Sequence, residues 1–284
     1  MSTGASLENS SLRWLMELEG LQTKNTNAVN RVLQVSAQEM LEDLRSSYSK
    51  AIRSEGRTNI PSAQQQYARA NNIANQVGDL VGPAARKTIL DRMNKDLTAA
   101  QKLGQQAGLD LDKILKNRPE ILNKNAQPNR PAIQAAGSRL NDFWARENTL
   151  FRDRVRSMTQ LALAEGKSWR QLSLQVRELL QLEKQQGTES KRSKRVNRTT
   201  GGITKRAELI AKTEMATAYV QGEIAQYKHL GYEWARWVAG GERTCGYCLS
   251  RDGLVYKMEE IEGMIPAHPR CRCDVAPVLS LIHI

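Results

Sequence analysis

The chain has 284 residues, of which 42 are Lys or Arg and 30 are Asp or Glu, so its formal net charge is +12. Hydrophobic residues make up 40% of the chain, which is enough for a packed core. No apolar run approaches the roughly 20 residues that a membrane-spanning helix needs, so we expect no membrane partner. The excess of positive charge favours a polyanionic partner, with nucleic acid as the first candidate.

The first 125 residues are rich in Ala, Leu, Gln, Arg and Lys, a composition that favours helices. Apolar residues recur at helical spacing up to a break at residues 60–62. We predict one helix over residues 63–81 and another from Pro83 to about Gly104. The region carries no chemical motif, so we interpret residues 1–125 as a long helical N-terminal region and a candidate partner contact.

Residues 117–131 contain three of the eight prolines of the chain and are predicted to be a linker. The pattern becomes helical again from Ala132, and Gly166 marks the predicted end of that helix. The following residues have a capping-box pattern, in which Ser168 and Gln171 begin another helix.

Residues 183–203 form a basic linker with few apolar side chains, in the most positively charged part of the chain. From Arg139 to Arg206 there are 16 Lys and Arg and 7 Asp and Glu, so +9 of the net charge of +12 lies there. The stretch is either a plain linker or a cationic arm that binds phosphate groups. In the second case it would bind DNA without sequence preference, because no aromatic side chain interrupts the basic residues Lys191, Arg192, Lys194, Arg195 and Arg198.

The remaining residues predict a small α+β module over residues 205–278. A helix is expected from a cap at Thr204 to about Leu230, with Gly231 closing it. Strands are expected over residues 232–238 and 254–256. The predicted fold class is therefore α+β and predominantly α-helical, with the long helical N-terminal region followed by this zinc-stapled C-terminal module.

Zinc is predicted from the cysteine pattern, because all four cysteines lie near the C-terminal end of the sequence as C-x2-C followed by H-x2-C-x-C. No secretory signal follows Met1, so we expect a reducing cytoplasm, where metal binding is favoured over disulfides. Zn²⁺ accepts mixed sulfur and nitrogen ligands, and a closed four-coordinate site is structural. Five residues compete for four positions, and the sequence leaves the choice open: Cys245, Cys248, His268, Cys271 and Cys273.

Other interpretations of the cysteines are a redox pair, buried free thiols, or a catalytic zinc. The surroundings of the C-x2-C pair show no thioredoxin-like pattern. Glu259, Glu260 and Glu262 lie in the intervening loop without a metalloprotease helix motif. We therefore expect no catalytic residues and no enzymatic activity.

The C-terminal half of the chain resembles phage Mu F-like head-morphogenesis proteins. The resemblance covers roughly residues 132–278 and is carried by the K-R-A-E-L-I-A-K-T-E segment from Lys205, by R-T-C-G-Y-C, and by the terminal H-P-R-C-R-C. The chain departs from the family at two places. The family often has Arg in place of Lys212, and it often has an Asp shortly before the first Cys, where this chain has Gly240, Gly241 and Glu242. These departures leave the metal ligands intact and weaken any fixed role for either residue.

The resemblance implies a minor capsid protein of a tailed phage that assists procapsid assembly near the portal. The implied partners are the portal protein, other procapsid components and DNA bound without sequence specificity. The implied location is the virion, at the capsid interior or portal vertex. Assembly would take place in the host cytoplasm. The alternative is a zinc-containing DNA-binding or nuclease-like protein. Against a nuclease, only three histidines are present. Of these, we interpret His268 as a ligand and His229 as a helix-end residue.

The last six residues, 279–284, read L-S-L-I-H-I and resemble a translated sequencing adapter. We expect the natural sequence to be cut near Val278, and we assign His283 no role.

Overall fold

A computed structural model describes residues 3–53, 62–76, 79–116, 126–127, 129–180, 203–241 and 244–278. These residues are mostly helical and include a small antiparallel sheet, which confirms the predicted helical α+β class. The elements in chain order are α1 (Thr3–Arg53), α2 (Ala63–Gln76), α3 (Pro83–Lys116), α4 (Arg130–Ala164), α5 (Trp169–Leu180), α6 (Ile203–His229), β1 (Trp234–Val238), α7 (Gly246–Leu249), β2 (Val255–Lys257), α8 (Met258–Ile261) and β3 (Asp274–Val278).

The chain forms two compact units. The first unit comprises residues 1–27, 91–138 and 208–284, and the second comprises residues 28–90 and 139–207. Each unit takes residues from both sides of the linker predicted at 117–131, and the proposed division into residues 1–125 and 132–278 remains a prediction.

The second unit is helical, and its buried residues follow helical spacing. In α1 the buried positions are three or four residues apart, which gives one apolar stripe; they are Leu33, Ala37, Met40, Leu44 and Tyr48. Gln171 accepts a hydrogen bond from the backbone N–H of Ser168 at 2.9 Å, so the predicted start of α5 is confirmed. The predicted end of α4 at Gly166 is also confirmed, since α4 ends at Ala164.

Two helix ends, one in each unit, differ from expectation. Helix α2 ends at Gln76 rather than at residue 81. The buried side chain of Asn148 hydrogen-bonds both the N–H and the C=O of Val81, each at 3.1 Å. That backbone is therefore satisfied by a side chain instead of by a helix. Helix α4 begins at Arg130 instead of Ala132, which places Pro131 in its first turn, where its missing N–H costs nothing.

In the first unit, the predicted end of α3 at Gly104 is wrong, because α3 continues to Lys116. A Cβ atom on Gly104 would lie 1.9 Å from the backbone oxygen of Tyr219 in α6, and one on Gly222 would lie 2.1 Å from the oxygen of Gln101. Both glycines therefore sit inside helices and allow α3 and α6 to approach backbone to backbone. Gly104 is a packing residue and not a helix terminator.

The sheet of the first unit has the order β2-β1-β3, with both neighbours antiparallel to β1. Strand β1 pairs Trp237 with Val275 and Val238 with Asp274. Helix α6 ends as predicted, with Gly231 at φ +82° and the N–H of Tyr232 donating to the oxygen of Tyr227 at 3.0 Å. The side chain of Thr204, the predicted cap of that helix, lies outside the described residues, as do residues 117–125 of the predicted linker.

Strand β3 was not predicted from the sequence. It carries Asp274 and Pro277, two residue types that are uncommon in strands. Pro277 is tolerated because β3 lies at an edge of the sheet. This strand matters for the site, because it begins directly after Cys273.

Candidate metal centre

The C-x2-C sequence folds into a tight turn that leads into α7. Cys245 has extended backbone angles at the N-cap of that short helix, and its Sγ accepts a hydrogen bond from the N–H of Cys248 at 3.5 Å. The N–H of Leu249 donates to the Cys245 oxygen at 2.9 Å. The backbone of the turn therefore holds both cysteines in place and supplies an N–H donor to the first sulfur.

His268 begins a second turn, in which the N–H of Cys271 donates to the His268 oxygen at 3.0 Å. The ring Nδ1 lies 2.9 Å from the backbone oxygen of Pro269. A carbonyl oxygen can only accept, so Nδ1 carries the hydrogen and the neutral ring leaves a lone pair on Nε2. Metal-binding histidines are commonly fixed by such a bond on the other nitrogen.

The two turns bring their sulfur and nitrogen atoms together. His268 Nε2 lies 3.2 Å from Cys245 Sγ and 3.3 Å from Cys248 Sγ, and Cys248 Sγ lies 3.8 Å from Cys271 Sγ. With Zn–S bonds of about 2.3 Å and Zn–N bonds of about 2.0–2.1 Å, a tetrahedral site separates two sulfurs by about 3.8 Å and a sulfur and a nitrogen by about 3.6 Å. The observed separations are close to those values.

All five predicted ligands belong to this Cys/His cluster, which we define as Cys245, Cys248, His268, Cys271 and Cys273. Within it, two groups of three have ligand atoms that all lie within 4.8 Å of one another. One group holds Cys245, Cys248 and His268, the other holds Cys248, Cys271 and Cys273, and Cys248 belongs to both. The cluster could hold a metal ion.

The thiols of the cluster have unequal proton affinities. The S–H of Cys273 donates to Cys271 and, with backbone N–H donors, lowers the pKa of the Cys271 thiol to about 5. The same hydrogen bond and burial raise the pKa of Cys273. Burial also raises the pKa of Cys248 to about 11, whereas the backbone N–H of Cys248 lowers the pKa of Cys245. The carbonyl of Pro269 raises the pKa of His268.

The strand β1 and the segment after it support the cluster from one side. A Cβ atom on Gly240 would lie 2.3 Å from the backbone oxygen of Arg272, so only glycine permits this close approach between the two segments. The Arg272 side chain pairs with Glu19 of α1 at 3.2 Å. The glycine was not identified as structurally important from the sequence, because the close approach joins residues distant in the chain.

A buried pair of carboxyl groups beside the cluster was also not found from the sequence. Glu223 of α6 and Asp274 of β3 are both fully buried, and Tyr219 donates to Glu223 Oε1 at 3.1 Å. Burial, followed by the nearby Asp274, raises the pKa of Glu223. No sequence signal marked Glu223, because a glutamate in a helix is usually exposed.

The predicted DNA-binding residues, 191–198, lie outside the described residues, and so does Glu242. Lys212 is described, and its Nζ pairs with Glu208 Oε1 at 2.6 Å. His229 lies in the last turn of α6. Among the described residues, none of the helices combines the length and the apolar character that crossing a bilayer demands.

Fold and site together define a mostly helical protein with a small three-stranded sheet and a Cys/His cluster able to hold a metal. Residues 153–276 match the family model described as Phage Mu protein F like protein, and this match supports the phage Mu F-like family for this part of the chain. The match contains every residue of the cluster. Neither the comparison with curated proteins nor the comparison with solved structures found a match.

Proposed function

We propose that the protein is a minor capsid protein of a tailed phage that acts in head morphogenesis, during procapsid assembly near the portal. The observation that carries this proposal is the family match over residues 153–276. The family supports a phage head-morphogenesis protein and partners in capsid assembly. We also propose that the protein lies at the capsid interior or at the portal vertex.

The metal in this proposal is a single structural Zn²⁺. The donor set is sulfur and imidazole, which suits zinc better than magnesium or calcium. When bound, the ion would supply cross-links between the turn at Cys245 and the segment that leads into β3. Closing the loop of 19 residues between Cys248 and His268 costs only about 2–3 kcal/mol. Structural zinc contributes an apparent 10–16 kcal/mol or so in small peptides, so the metal would dominate that cost.

The test of the assembly role is association with the portal protein of the same phage. The two proteins should co-elute from a size-exclusion column after co-expression, and the protein should be present in purified heads. Failure to co-elute, together with absence from heads, would overturn the proposal.

The alternative from the sequence, a zinc-containing nuclease-like protein, gives a different result in a separate assay. Cleavage of plasmid DNA with Mg²⁺ that is abolished by one acidic substitution would favour it. Under the capsid proposal the purified protein leaves the plasmid intact, and its function involves no catalytic residue.

A further inference from the structure

A cavity of about 490 Å³ lies in the first unit, between α1, α6 and residues 266–273. We call it the α1–α6 cavity. Its volume is within the range of about 300–1,000 Å³ that is usual for ligand-binding sites. Cys271 and Cys273 are among the residues that line it, but the Cys/His cluster accounts for no other part of the lining. The remaining side chains therefore need a separate explanation.

The part of the cavity that α1 contributes is apolar and exposed. Met16 is 72% exposed and Leu12 is 51% exposed, and both line the cavity together with Leu15. The three residues lie on one face of α1, because positions three and four apart are neighbours on a helix. Exposed apolar side chains that lie together along a concave surface are typical of a binding site for a partner. This side of the cavity therefore suits an apolar side chain.

Three cations also line the cavity, and two of them are paired. Lys212 pairs with Glu208 at 2.6 Å, and Arg272 pairs with Glu19 at 3.2 Å. The exposed guanidinium of Arg270 has no acidic partner among the residues that the structure describes. Arg270 also has φ +65°, a backbone conformation that is uncommon outside glycine. Since an arginine stays charged and its planar group matches a carboxylate, the cavity complements one carboxylate.

Polar side chains in the cavity supply hydrogen-bond acceptors. The hydroxyl hydrogens of Thr23 and Thr213 are used on carbonyl oxygens of their own helices, each at 2.8 Å. The side-chain nitrogen of Gln22 donates to the oxygen of Lys212 at 3.0 Å. The side-chain oxygens of all three residues can still accept hydrogen bonds. The backbone N–H groups of a peptide match these acceptors, whereas a fatty acid of similar size has no N–H to donate.

We propose that the α1–α6 cavity binds a short peptide segment of a partner protein, in which an apolar side chain lies next to an aspartate or a glutamate. The apolar side chain covers Leu12 and Met16, and the carboxylate accepts hydrogen bonds from Arg270. The proposal goes beyond the proposed function, because it assigns a second binding site and requires no contact with the portal.

The experiment selects peptides on the full chain from a displayed library of random short sequences, and fluorescence anisotropy then measures the affinity of a labelled selected peptide. Selected peptides should combine Leu, Ile, Phe or Met with Asp or Glu. Arg270→Gln should weaken binding about 10–100-fold, the loss expected for a hydrogen bond between charged groups. Arg236→Gln, the same change at an exposed residue of β1 outside the cavity, should leave the affinity unchanged.

A reversal of charge separates recognition from a structural role of Arg270. Arg270→Glu should bind a peptide with Lys in place of its acidic residue more tightly than the selected peptide itself. A variant with a merely damaged cavity would bind both peptides weakly, which would overturn the role of Arg270.

A measurement on the unaltered protein avoids dependence on these variants. With methyl-labelled methionine, addition of the peptide should shift the resonance of Met16, whereas that of the buried Met258 in α8 should stay in place. Met16→Gln identifies the resonance and should weaken binding about 10-fold, because apolar contact is lost.

Selection of no peptide, or of peptides without an acidic residue, would overturn the proposal. Laurate bound at Met16 when no peptide is selected would identify a free amphiphile as the ligand instead. A dimer in sedimentation that Met16→Gln dissolves would mean that a second copy of the chain occupies the cavity. None of these results changes the co-elution with the portal, so this proposal and the proposed function can fail separately.

Discussion

Glu223 and Asp274 bring two carboxyl groups together inside the first unit, where water cannot solvate them. The Glu223 side chain is hydrogen-bonded to Asp274, which also accepts from the backbone N–H of Val275 at 3.0 Å and from Ser11. The hydrogen bond between the two carboxyls therefore requires a proton on one of them. Burial and the nearby Asp274 raise the pKa of Glu223. Burial also raises the pKa of Asp274, but hydrogen bonds from Glu223, the backbone N–H of Val275 and Ser11 oppose that rise, so we assign the proton to Glu223.

This assignment predicts a pH-dependent effect of Glu223→Gln. The pKa of Glu223 is raised on folding, so the folded protein binds more protons than the unfolded chain. Its free energy of unfolding must then fall as pH rises from about 4.5 through the raised pKa. The amide of the variant can still donate to Asp274 and does not titrate. The stability of Glu223→Gln relative to the unaltered protein should therefore increase from pH 5 to pH 8.

Urea denaturation at several pH values measures this difference in the free energy of unfolding. Effects of pH on zinc binding occur in both proteins and therefore cancel in the difference. Glu178→Gln, the same change at an exposed residue of α5, is the matched control for replacing a carboxyl with an amide. A flat difference for Glu223→Gln would mean that Glu223 is not the protonated partner.

At the scale of helices, the crossing of α3 and α6 depends on the missing side chains of Gly104 and Gly222. Gly104→Ala would place a methyl group 1.9 Å from the oxygen of Tyr219, and that backbone atom cannot rotate away. We expect a net loss of about 1–3 kcal/mol in the free energy of unfolding, despite the better helix propensity of Ala.

Gly20→Ala in α1 is the matched control, because a Cβ atom there has nothing within 4 Å. It should stabilise the protein by about 0.5–1 kcal/mol through helix propensity alone. Thermal or urea unfolding of both variants checks the prediction. Equal stabilisation by the two substitutions would show that α3 and α6 do not meet at Gly104.

The elements that depend on local sequence were largely predictable, and those that depend on distant contacts were not. The start of α5 and the end of α6 follow from Ser168, Gln171 and Gly231, whose effects are confined to one turn. The sequence placed a helix end at Gly104 because glycine is usually a terminator, whereas α6 lies more than 100 residues away. The two turns of the cluster were recognisable from residue spacing, and strand β3 was not, because its pairing with β1 is what stabilises it.

The proposed cationic arm makes a prediction about salt dependence. Replacing Lys191, Arg192, Lys194, Arg195 and Arg198 with Ser removes five charges. On duplex DNA each lost phosphate contact should flatten the slope of log affinity against log salt by about 0.9, or up to about 4–5 for all five. Fluorescence anisotropy with a duplex at several salt concentrations measures the slope.

A charge-matched control separates the arm from the overall charge. It replaces five exposed cations of the first and second units with Ser, namely Lys24, Arg31, Lys87, Lys95 and Lys102. This control should leave the slope nearly unchanged. If both variants lose the same amount, DNA responds to net charge, and if neither changes, the arm is only a linker.

For the whole molecule, removal of zinc should be the most damaging single perturbation. A ligand held at a free concentration 1,000-fold above its dissociation constant stabilises the folded state by about 4 kcal/mol. Chelation should lower the free energy of unfolding by several kcal/mol, and hydrogen exchange should accelerate most over residues 234–278. Re-addition of zinc should restore both, and an unchanged exchange pattern would rule out a stapling role.

The arrangement of the first unit along the chain has a consequence for the order of events during synthesis. Residues 1–27 leave the ribosome long before residues 208–284, with which they share one compact unit. At roughly 5–20 residues per second, the first segment waits for about 10–50 seconds until residues 208–284 have all been made. The unit therefore cannot be completed until residues 208–284 have emerged, and residues 1–27 lack these partners until then. Because Cys245 follows residue 27 by more than 200 residues, metal loading can begin only long after the first segment of this unit has been made.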